Sequence, residues 1–189
     1  MDPQTDHQAH AIHLIRGLHR MDTVNRAPVL TLWAAIVAER LGHDADAAIT
    51  LGHAVAGSSA RVKARAIGLE EKREDGGVRD AAKPAPQQTV HLLGRDLPVV
   101  ERNGSPYALD HDKPASPRPA HAYVEKAFGE HLPAVRKAME ALADSLPPEE
   151  LNRIGFRLYE RFRPEVPAGA AGWGKKGTLD LELIENARP

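Results

Sequence analysis

Apolar residues recur along this chain mostly at helical spacing, and the densest such stretch occupies residues 27–68. Within it Leu30, Trp33, Ala34, Val37 and Leu41 fall on one helical face, while Val29, Leu32 and Ile36 make most of the remaining circumference apolar. A helix of this kind demands burial on several sides. Pro28 sits in its first turn, where a missing N–H costs nothing, and Gly42 occupies the place of a left-handed C-cap. Asp44 is placed to cap a second helix, whose Ala45, Ala48, Ile49, Gly52 and Ala56 form a small-residue face that lets two helices approach closely. Gly57 is expected to end that helix. Ser58 or Ser59 then restarts the chain in a third, basic segment bearing Arg61, Lys63 and Arg65.

The flanking patterns are weaker. Ala9, Ile12, Leu14, Ile15 and Leu18 predict a helix over residues 5–21, with a break at Asp22 and Thr23. Residues 70–88 lose periodicity and gain charge, Gly and Pro, as a linker does. Residues 89–93, 97–101 and 106–109 read as short strands separated by Gly94-Arg95-Asp96 and Asn103-Gly104, with Pro98 and Pro106 pointing to edge positions. A Pro-rich connection follows. Tyr123, Val124, Ala127 and Phe128 predict a short helix ending near Gly129, and Leu132, Val135, Met139 and Leu142 mark the next. SLPPEE then opens a helix carrying Leu151, Ile154, Leu158 and Phe162 on one face, with Arg153, Arg157 and Arg161 along an adjacent edge. In the tail, Leu179, Leu181, Leu183 and Ile184 predict a short strand or helical turn that anchors the chain end, and Trp173 is placed to fill a hydrophobic hole.

These patterns predict a mainly α fold, made of compact helical bundle units with a small β-ribbon between them. Its parts are an N-terminal helical unit (5–68), a linker (69–88), the ribbon (89–109), a Pro-rich linker (110–119) and a C-terminal helical unit with a Gly-rich tail (120–189).

Composition narrows the chemistry. Aromatic residues make up only 4% of the 189, so the core must be filled chiefly by Ala, Leu, Val and Ile. The absence of cysteine excludes disulfides, thiolate nucleophiles and cysteine-ligated metals. With no basic region leading into an apolar run and no apolar stretch long enough for a bilayer, a cytoplasmic protein without a membrane partner is expected. A formal net charge of -1 argues against a globally basic nucleic-acid coat, but leaves room for a local basic patch.

Among candidate motifs, His7, His10 and His13 drift about 60° per step around a helix, so that two could share a metal ion while a third would be strained; their bland reading is a solvated polar face or a disordered terminus. His111 with Asp110 and Asp112 reads as a solvated loop. GAAGWGKK, beginning at Gly169, has P-loop spacing, but Lys176 stands where the magnesium-ligating Ser or Thr belongs and a Pro-rich segment replaces the preceding strand. No cofactor is therefore expected. No nucleophile elbow, HExxH or dinucleotide fingerprint is present either, so a site built of His and carboxylates from separated places remains the enzyme or metal-binding alternative.

Residues 28–67 resemble a helix-turn-helix, with AERLGHDADAA supplying the first helix, turn and start of the second. TLWAAIVAERLG, LYERFRP and GWGKKGTLDL are similar to stretches of small bacterial proteins of uncharacterised function. The functional expectation is a non-enzymatic regulatory or adaptor protein, acting as a homodimer, that binds DNA phosphates or a protein partner. Its contact residues are Ser58, Ser59, Arg61, Lys63 and Arg65, with backbone N–H groups at a helix start near Ser59, and the arginine edge Arg153, Arg157 and Arg161.

Overall fold

A computed structural model describes residues 20–66, 88–169 and 175–189, apart from the side chains at 22 and 62–66. Its elements are β1 (Arg20–Val24), α1 (Arg26–Arg40), α2 (Ala45–Ala66), β2 (Gln88–Leu92), β3 (Arg95–Arg102), β4 (Ser105–Asp110), β5 (Lys113–Pro114), α3 (Pro117–Phe128), α4 (Leu132–Asp144), α5 (Pro148–Phe162), β6 (Gly177–Asp180) and α6 (Leu181–Glu185); a 3-10 turn, Gly129–His131, joins α3 to α4. The histidines at 7, 10 and 13, the linker up to residue 87 and the centre of GAAGWGKK with Trp173 lie outside the described residues.

The architecture corrects the expectation of a mainly α protein. It is a mixed α/β fold with two antiparallel sheets. One sheet joins β1 to β6, with Arg20 opposite Asp180 and Met21 opposite Leu179, and an isolated bridge from Glu165 to Thr178 extends it. The segment read as the end of a helix and a break is thus a strand whose partner lies some 160 positions away, a pairing that no local period announces. The other sheet is a meander in the order β2-β3-β4-β5.

Helix α1 is the centre. Every residue from Pro28 to Ala38 is buried, as its apolar circumference demands. Gly42 takes the left-handed conformation after its last turn (φ 98°), and Asp44 accepts a 2.9 Å hydrogen bond from the Ala47 amide to cap α2. The small-residue face of α2 lies directly on α1: a Cβ at Gly52 would collide with the carbonyl oxygen of Thr31 and sit 2.8 Å from the Ala35 amide nitrogen. On the other side, Trp33 donates a 2.8 Å hydrogen bond to the Gly155 carbonyl of α5 and meets Phe162 edge to face, with centroids 5.4 Å apart. One hydrophobic core therefore takes in α1, α2, the meander, the C-terminal helices and the β6–α6 tail.

The meander turns on three two-residue loops, Leu93-Gly94, Asn103-Gly104 and His111-Asp112, each with positive φ at both positions, as the twist of an antiparallel pair favours. Leu93 is an unusual occupant of that conformation. Its side chain is nevertheless buried against Gly155, and its amide donates a 2.7 Å hydrogen bond to Asn152 Oδ1. Asn152 Nδ2 in turn donates to the His91 carbonyl, so one side-chain amide closes the free edge of β2 at the hairpin tip. At the opposite side, the buried Thr50 hydroxyl of α2 accepts from the Ala108 amide of β4 where β5 stops. Asn152→Ala is expected to cost about 1–2 kcal/mol in urea denaturation, because it strips both groups from a strained loop. A loss under about 0.3 kcal/mol would show that burial of Leu93 alone holds the tip.

The proline expectation needs correction too. β3 lies between β2 and β4 although it contains Pro98. Its ladder with β4 runs from Arg102–Ser105 to Val99–Ala108 and ends there, so the missing N–H of Pro98 falls beyond the paired stretch.

Candidate interaction surface

The sequence expectation places the contact surface after Gly57, and α2 decides its geometry. The helix does not end at that glycine. It runs unbroken to Ala66, whereas Val55 and Ala56 are its last described buried residues. Gly57 is exposed, Ser58, Ser59 and Ala60 are half-buried, and Arg61 is exposed. At 1.5 Å per residue the helix continues for about 15 Å beyond Ala56, its last described buried residue, and this stretch carries positions 61, 63 and 65. The structure places Lys63 and Arg65 in this helix, with side chains outside the described residues.

Continuity of α2 changes the chemistry on offer. A helix starting at Ser59 would have presented unpaired backbone N–H groups to an anion; within an uninterrupted helix those groups bond to carbonyls one turn back. Any grip on phosphate must therefore come from side-chain cations. Ser59 Oγ is buried and has no hydrogen-bond partner among the described residues. Cations at the C-terminal end of a helix also offset its dipole, which accounts for their favourable placement there.

The arginine edge of α5 divides into three situations. Arg153 Nη2 lies 3.7 Å from Glu150 one turn earlier, the intrahelical pairing its spacing suggests. Arg157 is exposed. Arg161 Nη1 donates to the carbonyls of Ala187 and Arg188 at 3.2 and 3.3 Å, so this guanidinium ties the C-terminal segment to α5.

Several polar contacts escaped the sequence reading. Arg136 of α4 bridges Glu140 at 2.7 Å and Glu39 of α1 at 2.6 Å, and these two carboxylates hold its guanidinium above the usual arginine range against the opposing effect of burial. Arg40 donates to the Leu146 carbonyl at 3.0 Å and lies beside Asp144. Between α2 and α3, His121 Nε2 meets Asp46 Oδ1 at 3.0 Å and His53 meets Tyr123 edge to face. His43, in the α1–α2 turn, is pushed below the ordinary histidine value by burial, against the pull of Asp44. The spacing of α3 alone could have put His121 and Tyr123 on the flanks of its Ala120–Val124–Phe128 stripe, but not named their partners.

His111 is exposed in the last meander turn, 3.7 Å from Asp110. No described helix is long and apolar enough to cross a membrane. No protein-family model matches the chain, and comparisons with curated sequences and with solved structures find no similar protein.

Proposed function

We propose that this is a cytoplasmic, non-enzymatic regulatory protein that contacts the phosphate backbone of DNA through the cationic end of α2. The observation that carries this reading is the unbroken continuation of α2 to Ala66, which sets Arg61, exposed, with Lys63 and Arg65 on one helical segment after the last described buried residue, Ala56. The first part of α2, Ala47 to Ala56, is largely occupied with packing, so it offers few groups for reading base edges. Contact is thus of the positioning, sequence-independent kind, dominated by charge. Arg157 is the one member of the α5 edge that this reading retains as a second contact, since Arg153 and Arg161 have partners within the chain.

Fluorescence anisotropy with a labelled random duplex at about 50 mM salt tests the proposal. Wild-type protein is expected to bind. The double variant Arg61→Glu/Lys63→Glu, with its helix content checked by circular dichroism, is expected to bind at least about tenfold more weakly. Absence of binding by the wild type, or equal binding by the variant, overturns the DNA reading and leaves the expected adaptor role toward a protein partner.

A further inference from the structure

The meander has two faces, and only one is used. Leu92, Leu97, Val99 and Ala108 point into the core. On the opposite face, Val100 stands across from Tyr107 and Leu109 across from Pro114, with Pro98 two positions before Val100. Val100, Tyr107 and Leu109 are half-buried, yet none belongs to the core or packs against it among the described residues. We propose that this outer face docks a second copy of the chain, sheet against sheet.

Three observations select that occupant. Lateral addition of a strand is hindered, because Asn152 covers the β2 edge at His91 and Leu93 and Thr50 caps β4 at Ala108. The charges bordering the apolar patch are also self-complementary. Asp96, paired with His91 at 2.8 Å, marks one end of β3, and Arg102, stacked 5.8 Å over Tyr107, marks the other. These ends lie about 20 Å apart along the strand. A twofold axis running across the strands in the interface plane brings Arg102 of each copy over Asp96 of the other, twice, as an isologous interface requires. Finally, a net charge of -1 leaves little general repulsion between copies. Four short strands spaced about 4.8 Å apart offer less than a standard interface, so the dimer is weak, with a dissociation constant on the order of tens of micromolar.

Sedimentation equilibrium of the full chain from about 1 to about 300 μM tests this. The weight-average mass is expected to climb toward twice that of the monomer, and Val100→Glu to weaken dimerisation about tenfold or more. Asp96→Arg and Arg102→Asp are each expected to weaken it, and the two together to restore it, which keeps the test decisive even if Val100→Glu does not fold. A monomer throughout the range, a dimer indifferent to all these changes, or failure of the double swap to restore association overturns the proposal.

Discussion

Gly52→Ala is expected to destabilise the protein by about 3 kcal/mol or more, although it adds a single methyl group. The methyl has no space. It would strike the Thr31 carbonyl and crowd the Ala35 amide, both backbone atoms of α1 that cannot rotate away as a side chain could. The two helices must separate, and Val29, Leu32 and Ile36 must then lose contacts on the far side of α1 as well. Urea denaturation measures the effect directly; a loss below about 1 kcal/mol would mean that α1 and α2 are not held at this close approach.

Trp33→Ala carries a comparable expectation, about 3–5 kcal/mol. Trp33 is fully buried, it is the largest fully buried side chain among the described residues, and it joins α1 to α5 through both its ring and its N–H. Trp33→Phe separates these contributions, because a benzyl group keeps part of the volume and loses the bond to Gly155. It is expected to cost less than the alanine, by at least about 1 kcal/mol. Equal losses for the two variants would assign the whole effect to the hydrogen bond.

Both predictions rest on features legible in the sequence. Trp33 lies in an unbroken apolar stretch, and Gly52 lies among alanines at helical spacing. Signals of this kind act within one or two turns, and so Pro28, Gly42 and Asp44 mark helix ends where the structure has them. Gly57 misled for a physical reason. A glycine inside a helix costs only about 1 kcal/mol relative to alanine, which the buried turns before it outweigh. The β1–β6 pair was hidden by distance, since RMDTV and GTLD are short, weakly alternating segments whose register depends on the folded core between them. Pro98 misled because a proline forbids one ladder bond, and the ladder with β4 ends just before that bond is needed.

The candidate surface shows the same division. That Arg61, Lys63 and Arg65 form a basic run is plain in the chain, but whether they follow a helix start or extend a helix depends on Gly57, and with it the availability of backbone N–H groups. Arg153, Arg157 and Arg161 share an edge by spacing alone. The commitment of Arg161 to the Ala187 and Arg188 carbonyls depends on where the tail returns, which the β1–β6 pairing determines.

Contact between the cationic end of α2 and phosphate is read from the salt dependence of duplex binding. If the cations at 61, 63, 65 and 157 each displace a counterion from DNA, a plot of log Kobs against log salt concentration should be linear with a slope of about -3.6, and become shallower by roughly 0.9 when Arg61 alone is neutralised to Gln. A slope near zero, or one that Arg61→Gln leaves unchanged, would contradict the assignment of this helix end as the contact surface.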